Sequence, residues 1–326
     1  MSRQTATRAL LAIGLLGLPL GEGLRPAWGQ RLERITIGVP TKNFLYWPLY
    51  MAQSRGLFER EGLHADIVVM RSNLMIAALM AGELAYTGSA ASAMMATAQG
   101  LPIRTVFVLA VRPTLSVIVS PQVQGGRDLR GRSIAISAKG SITDAVARET
   151  ARHYGLDPDR DIRTVGLGAQ SERLAALASG AVAGAVLDPP VDLIALKQGF
   201  RRLIWAGEIL EAPQAGLATS DRKIREQPQQ VLRTVRALLQ GLRFVRTQRE
   251  EAVRSLMADF KVDRATAETS YDLVIRAMSE DGSVGVQALR KAIELARAQR
   301  PVPETMEPAH LVDFRFLREA AAKLTP

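Results

Sequence analysis

The chain has 326 residues, of which 47% are hydrophobic and 23% charged, with a formal net charge of +10 and no cysteine. The absence of cysteine excludes disulfides, cysteine nucleophiles and thiolate metal sites. The basic balance is compatible with nucleic acid, a membrane surface or an anionic ligand as partner, and also with a generally solvated basic surface.

Residues 1–29 have the three parts of a secretion signal. Arg3 and Arg8 give a positive start, residues 9–20 form an apolar core, and Ala27-Trp28-Gly29 supplies small residues for cleavage. The core is shorter than the ~20 apolar residues that span a bilayer, so we expect cleavage after residue 29 rather than a membrane anchor. The mature chain would carry a net charge of +8 and, without a cysteine for lipid attachment, would be free in a bacterial periplasm.

Short apolar runs then alternate with helix-like segments, which predicts parallel sheets with crossover helices. The early helices end near glycines, which tolerate the left-handed conformation that closes a helix. The predicted strands are Ile35–Val39, Ala65–Met70, Leu84–Thr87, Ile103–Ala110, Leu115–Val119, Ser133–Ser137, Ile162–Val165, Ala183–Leu187, Arg202–Ile204 and Gly216–Thr219. The helices predicted between the early strands are Trp47–Ser54, Leu74–Ala81 and Ala90–Gln99.

Helical patterns dominate the rest of the chain. Gln229–Thr247 carries an apolar stripe at helical spacing, and Arg264–Met278, Val286–Ala298 and Asp313–Leu324 are also predicted helices. This tail holds few strand candidates, so we expect it to pack on the first lobe rather than form a third α/β domain.

The chain is predicted to cross between two lobes twice, near Arg112–Ser116 and near Pro213–Ala218. This gives a discontinuous first lobe of residues 30–114 with 217–326 and a second lobe of residues 115–216. Two crossings would form a hinge and leave a cleft between the lobes.

Several motifs occur in order along the mature chain. They are Tyr46-Trp-Pro-Leu-Tyr-Met-Ala52, Gly56-Leu-Phe-Glu-Arg-Glu-Gly-Leu63, Asp128-Leu-Arg-Gly-Arg132, Gly140-Ser141, Leu177-Ala-Ser-Gly180 and Asp188-Pro189. In this order they resemble the motifs of the solute-binding proteins of nitrate/sulfonate/taurine-type ABC importers. The second motif is the most specific, and Arg132 stands where that family usually has lysine.

The resemblance implies an α/β, type II-like periplasmic binding fold, with each lobe a mostly parallel sheet flanked by helices and a ligand cleft at the hinge. It implies a monomeric binding protein, without catalysis or cofactor, that passes a small solute to an ABC permease and its ATPase; a nucleic-acid partner is not expected. Two alternatives stay open. Relatives that make the thiamine pyrimidine are enzymes, although they carry a cysteine-rich motif that this chain lacks, and a periplasmic ligand sensor would share the fold.

Ligands of open α/β sheets bind beyond the carboxyl ends of the strands, and five loops meet that description. The candidate ligand-binding residues in these loops are Thr41, Tyr46, Trp47, Ser89, Ala90, Arg112, Lys139, Gly140, Ser141 and Asp188. The two aromatic side chains offer flat faces for a planar solute, or they pack a helix on its sheet. The two serines lie at helix starts, where backbone N–H groups favour anions, or where serine acts only as a cap.

The charged candidates also have two interpretations each. Arg112 suits a carboxylate or sulfonate, or it bridges the hinge at the surface. Asp188 precedes two prolines and is either a helix cap or a contact for an amine or hydroxyl. Together the candidates predict a solute with a carboxylate or sulfonate group on an apolar or aromatic body. They do not identify the solute.

Two other patterns carry no site. Gly166-Leu-Gly-Ala-Gln-Ser171, with Asp188 beyond it, imitates a dinucleotide fingerprint but lacks the third glycine. His64, His153 and His310 are far apart and lack metal-ligand spacing.

Overall fold

The computed structural model describes residues 32–324 of the chain. The predicted signal segment and its cleavage point lie outside these residues. Within the described range, no helix has both the length and the apolar character that a membrane span requires.

Residues 32–324 form ten strands and thirteen α-helices. The strands are β1 (Glu33–Val39), β2 (Leu63–Val69), β3 (Tyr86–Thr87), β4 (Ile103–Val108), β5 (Ser116–Val119), β6 (Arg132–Ile136), β7 (Ile162–Gly166), β8 (Gly184–Leu187), β9 (Arg201–Trp205) and β10 (Gly216–Ser220). The helices are α1 (Trp47–Ser54), α2 (Leu57–Arg60), α3 (Ser72–Ala81), α4 (Ala90–Ala98), α5 (Ile142–His153), α6 (Gln170–Ala178), α7 (Val191–Lys197), α8 (Asp221–Glu226), α9 (Pro228–Thr247), α10 (Arg249–Phe260), α11 (Arg264–Ala277), α12 (Val286–Arg297) and α13 (Arg315–Lys323).

The strands form two five-stranded sheets, in the orders β2-β1-β3-β10-β4 and β7-β6-β8-β5-β9. We call the part of the chain around the first sheet lobe 1 and the part around the second lobe 2. The chain passes from β4 to β5 through residues 109–115 and from β9 to β10 through residues 206–215, which we call the first and second crossings. The predicted lobe boundaries fall in or next to these crossings, and as domain limits they stay predictions.

Each sheet is mixed, because four of its five strands run in one direction and one runs against them. β5 and β10 run antiparallel to both of their neighbours, whereas β1, β2 and β3 pair in parallel, as do β6, β7 and β8. The reason is topological, because β5 and β10 are the first strands after a crossing and therefore start at the cleft, where the other strands end. The sequence pattern could not show this direction. The carboxyl ends of eight strands therefore point to the cleft, where the loops and helix starts of the candidate site lie.

The predicted strands are all present, and their ends differ from the prediction by two residues or fewer. In β1, Ile35, Ile37 and Val39 point into the largest core from one face of the strand, as period-two alternation requires. The sequence analysis gave bounds for seven of the thirteen helices. Among the others, α10 follows α9 almost directly, after a break at Gln248.

The largest apolar core lies in lobe 1 and joins its sheet to the C-terminal helices. The predicted stripe of α9, which includes Val231, Val235 and Leu242, is fully buried there. Gly241 of α9 lets the helix approach α1 closely, because a Cβ at that position would lie 2.3 Å from the carbonyl oxygen of Pro48. A separate core, which includes Val117, underlies the sheet of lobe 2.

Candidate functional site

A cavity that is partly open to solvent lies where the two lobes meet beside the second crossing. The space that can hold the centre of a water molecule is about 20 Å³, so its walls lie close together and leave room for about one water. Its lining comes from α4, the start of α5, the second crossing and α12. The lining residues are Ala91, Ser92, Met95, Gly140, Ile142, Ala145, Ala212, Pro213, Ala292 and Leu295. The wall is mostly apolar, and its two polar contributions come from the first turn of α4 and the loop before α5.

The lobes also touch at points outside the lining of this cavity. Lys197 of α7 donates from Nζ to Asp263 Oδ2 at 2.6 Å and to Thr266 Oγ1 at 2.6 Å, which links lobe 2 to α11. The guanidinium of Arg276 lies 5.9 Å from the centre of the Trp205 ring. These contacts show the two lobes in a closed arrangement.

The start of α4 is built by a serine cap and a glycine. Ser89 Oγ accepts from the backbone N–H of Ser92 at 3.3 Å, and the preceding Gly88 leaves room for the ring of Tyr46. A Cβ on Gly88 would lie 3.1 Å from Tyr46 Cε1. No acidic residue occupies the first turn of this helix. Ser92 lines the cavity with an uncharged side chain, whose Oγ accepts from Ser89 Oγ at 2.9 Å.

The start of α5 has the same cap but carries its own acid. Ser141 Oγ accepts from the N–H of Asp144 at 3.4 Å, and Asp144 Oδ2 accepts from the N–H of Gly140 at 3.0 Å. Gly140 has a φ of 77°, in the left-handed region that favours glycine. The positive end of α5 is therefore already balanced by a carboxylate of the same helix.

Asp188 lies at the carboxyl end of β8, the central strand of lobe 2, and is bonded to both crossings. Its Oδ1 accepts from Thr114 Oγ1 at 2.6 Å in the first crossing and from Gln214 Nε2 at 3.4 Å in the second. Thr114 N–H also donates to Gln214 Oε1 at 2.9 Å, so the two crossings are bonded to each other. The backbone N–H of Asp188 donates to Gln170 Oε1 at 2.7 Å.

The electrostatics of this cluster follow from its burial. Burial raises the pKa of Asp188, and the Thr114 hydroxyl and the charge of Arg173 oppose that rise. Burial lowers the pKa of Arg173 to about 10 in spite of the nearby Asp188, so the guanidinium stays charged at neutral pH. The pKa of Tyr46 is raised by burial and then by the charge of Asp188.

The structure brings several of the predicted site residues to the lobe interface. Gly140 lines the cavity, Ser89, Ala90 and Ser141 begin the two helices that line it, and the ring of Tyr46 lies against Gly88 before α4. Thr41 is half-buried in the loop after β1. As contacts to a ligand, all of these residues stay predictions.

Three predicted residues lie elsewhere. Trp47 is buried in the core of lobe 1, where its ring meets Tyr271 edge to face at 6.3 Å and its Nε1 donates to Ser255 at 3.3 Å. Arg112 is 45% exposed and lies 3.9 Å from Glu211 of the second crossing, so it bridges the hinge at the surface. Lys139 is exposed next to the cavity-lining glycine.

Sequence reasoning missed the residues that hold Asp188. Thr114 and Gln214 are ordinary polar residues within the crossings, and Gln170 and Arg173 lie on α6 directly after the glycines of the apparent dinucleotide motif. The position of Gln170 and Arg173 at the start of a helix beyond a strand end was a usable signal. The apolar lining from α12 had no local signal, because it comes from the opposite end of the chain.

The comparison with protein families is decisive at this point. The family described as NMT1/THI5 like matches residues 43–252, which is more than half of the chain. The chain belongs to the NMT1/THI5-like family. The matched range includes the strands of lobe 2 and both crossings, and this membership agrees with the resemblance inferred from the motifs.

Among individual relatives, the riboflavin-binding protein RibY of Chloroflexus aurantiacus is 26% identical over 220 residues, which cover 65% of this chain. The match spans 62% of the length of that relative. The periplasmic aliphatic sulphonate-binding protein SsuA of Escherichia coli superposes with a TM-score of 0.69 at 18% identity, over 88% of this chain and 99% of the other.

The periplasmic nitrate-binding protein NrtA of Synechocystis PCC 6803 superposes with a TM-score of 0.77 at 14% identity, over 90% of this chain and 89% of the other. Structural similarity at such low identity shows the fold alone. The predicted two-lobed fold of periplasmic binding proteins is thereby confirmed.

Proposed function

We propose that this chain is the solute-binding component of an ABC importer, which captures a small organic solute between its lobes and delivers it to a membrane permease. The observation that carries the proposal is the cavity at the lobe interface, because its walls come from both lobes and from the second crossing. A solute in such a cavity contacts both lobes only when they are closed. It would therefore favour the closed form by its differential affinity for that form.

The family and the fold neighbours support this assignment. The sulphonate-binding and nitrate-binding neighbours are named as periplasmic binding proteins, and RibY is named for riboflavin binding. The proposal includes release into the periplasm after cleavage behind Gly29, and action as a monomer. N-terminal sequencing of periplasmic protein should begin at Gln30, and an intact Met1 in the mature pool would contradict cleavage.

For the solute we propose a carboxylate or sulfonate on an apolar or aromatic body. The apolar wall, which includes Met95, Ile142 and Leu295, suits the body. The first turn of α4, with Ser92 in the cavity wall and no acid of its own, suits the anionic group. The start of α5 suits it less, because Asp144 already lies there.

Native mass spectrometry of protein purified without refolding tests the assignment, because tightly bound solutes copurify. A thermal-shift panel of carboxylates, sulfonates, amines, nucleobases and riboflavin then ranks solute classes. We expect organic acids to give the largest shifts, and small-angle scattering to show a smaller radius of gyration with the best acid than without it. Stabilisation by amines alone would contradict the acid proposal, and no stabilisation by any class would contradict the binding function.

We also propose that the chain does not catalyse a reaction on its solute. The alternative is a metabolic enzyme of the same fold, related to those of thiamine-pyrimidine synthesis. Incubating the protein with each panel compound and analysing the mixture by mass spectrometry separates the two, because a binding protein returns every compound unchanged. A ligand sensor would also return it unchanged, and would differ by failing to stimulate a reconstituted permease and ATPase.

A further inference from the structure

Two polar atoms from opposite lobes lie nearly buried where the strand ends meet and make no hydrogen bond to any described residue. One is the hydroxyl of Tyr46, a residue that is 2% exposed, and the other is Oδ2 of Asp188, a residue that is 5% exposed. The ring of Tyr46 lies against Gly88, whose carbonyl accepts from the N–H of Gly216 at 2.9 Å. Gly216 is two residues beyond Gln214, which donates to Asp188, so the two groups flank the second crossing from opposite lobes. They belong to the same region of the lobe interface.

Arg173 does not satisfy the free carboxylate oxygen. Its guanidinium donates to the backbone carbonyls of Val186 and Ala169, so it balances the charge of Asp188 without bonding to Oδ2. Thr114 and Gln214 both donate to the other oxygen, Oδ1. Oδ2 and the Tyr46 hydroxyl are not among the fully enclosed polar atoms of the described residues, so each can take a hydrogen-bond partner from the cleft.

We propose that Tyr46 and Asp188 form a subsite for a hydrogen-bond-donating group of the solute, such as an amine, amide or hydroxyl. This inference rests on the proposed function and adds a second requirement to the solute. A carboxylate or sulfonate would be repelled by Asp188, so the acidic end of the solute lies away from this subsite. The solute thus carries an acid, an apolar body and a donor.

The same carboxylate ties the subsite to the hinge. Oδ1 is bonded to Thr114 in the first crossing and to Gln214 in the second, and those two residues are bonded to each other. A donor on Oδ2 fixes the orientation of the carboxylate between the crossings while Tyr46 approaches from lobe 1. Occupation of the subsite is therefore linked to closure of the lobes.

The test compares acids that differ only in a donor: taurine with ethanesulfonate, and sulfanilate with benzenesulfonate, by isothermal titration calorimetry. The wild-type chain should bind a donor-bearing member roughly 10- to 150-fold tighter, the value of one charge-assisted hydrogen bond. Asp188→Asn should remove this preference, and Tyr46→Phe should reduce it. Tyr154→Phe is the matched control and should keep it, because the hydroxyl of that half-buried tyrosine donates to the backbone carbonyl of Leu203 within lobe 2.

Circular dichroism checks that each variant is folded. If Asp188→Asn does not fold, the loss of preference in Tyr46→Phe alone tests the subsite. If the wild-type chain binds both members of each pair equally well, the subsite proposal is wrong and the proposed function is unaffected. The same holds if both variants keep the preference for the donor-bearing compound. Binding of none of the four compounds also overturns the subsite. The binding function itself fails only if the whole solute panel fails.

Discussion

The helices α4 and α5 reach the same cavity from opposite lobes, begin with the same residue pair, and differ at their third position. Gly88-Ser89 precedes α4 and Gly140-Ser141 precedes α5, and each serine accepts from the N–H three residues later. That third helical residue is Ser92 in α4 and Asp144 in α5. The aspartate also accepts from the N–H of Gly140, whereas α4 has no acid in its first turn.

This difference shows that equal sequence signals at matching places do not make equal anion sites. A helix start attracts an anion through its free N–H groups and its dipole. In α5 Asp144 already balances the dipole and accepts from the N–H of Gly140, and a solute anion would also meet its charge. In α4 the N–H of Ala91 donates to the carbonyl of Gln214, but no acid in the first turn balances the dipole. We therefore assign the acid of the solute to α4, and the following predictions test that assignment from the largest expected effect to the smallest.

Giving α4 the acid that α5 has should produce the largest effect. Ser92→Asp places a carboxylate in the cavity wall, and repulsion between two close charges at a protein surface is about 2–4 kcal/mol. Affinity for the best organic acid of the solute panel should fall roughly 30- to 900-fold, measured by calorimetry. The same change should raise thermal stability slightly, because an acid in the first turn contributes about 0.3–1 kcal/mol.

The control for this change is Ser92→Asn, which has nearly the same shape without the charge. It should leave acid affinity within about tenfold of wild type, the effect of losing one hydrogen bond. Equal losses in the aspartate and asparagine variants would mean that shape rather than charge is responsible. Unchanged affinity in Ser92→Asp would remove the acid from α4.

Much of the fold could be predicted from sequence because strand cores and helix ends have local signals. The alternating burial of Ile35, Ile37 and Val39 follows from period-two apolar spacing. The spacing of Ser141 and Asp144 is a local signal of the same kind, since a serine followed three residues later by an acid is typical of a helix start that supplies its own carboxylate. Ser89 and Ser92 lack that acid, so the difference between α4 and α5 is present in the sequence itself.

The rest of the site depends on contacts between distant parts of the chain. Whether Trp47 faces a ligand or the core was decided by Tyr271 and Ser255, more than 200 residues away in sequence. The buried group around Asp188 joins both crossings and α6, so no local pattern marks Thr114 or Gln214 as special. Sequence reasoning located the loops of the site but could not say which side chains meet.

Replacing the two glycines that precede Ser89 and Ser141 by alanine should lower stability for different reasons. Gly88→Ala would bring a Cβ within 2.9 Å of Val39 Cγ1 and 3.1 Å of Tyr46 Cε1, and such overpacking costs about 1–3 kcal/mol. Gly140→Ala would meet only the end of the flexible Gln299 side chain, at 2.7 Å, but must hold a φ of 77° at a cost of about 1–2 kcal/mol.

Chemical denaturation measures both free energies of unfolding. We expect Gly88→Ala to be the more destabilising variant and to weaken solute binding as well, because it displaces the Tyr46 ring. Gly140→Ala should reduce stability with a smaller effect on binding. If Gly140→Ala were the variant that abolished binding, the loop before α5 would hold the solute more closely than α4 does.

Removing the acid from α5 should make it resemble α4. Asp144→Asn keeps an oxygen for the N–H of Gly140 and removes a negative charge near the cavity. Relief of a repulsion of about 1 kcal/mol should tighten acid binding roughly fivefold. Stability should fall by about 0.3–1 kcal/mol, because the helix dipole loses its partner. Weaker acid binding in this variant would contradict a repulsive role for Asp144.

Removing the charge of Lys139 should have the smallest effect on solute binding. This predicted ligand contact lies in the loop before α5. Its side chain is exposed, so water and salt screen its charge, and an exposed charge pair contributes about 0.2–1 kcal/mol. Lys139→Ala should weaken acid binding by about fivefold at most, and the loss should vanish at high ionic strength. Lys139→Arg is the control that keeps the charge and should bind like wild type. A loss of a hundredfold that persists in high salt would place Lys139 on the solute anion. In that case both helix starts would hold the acid, and the asymmetry between Ser92 and Asp144 would concern stability rather than recognition.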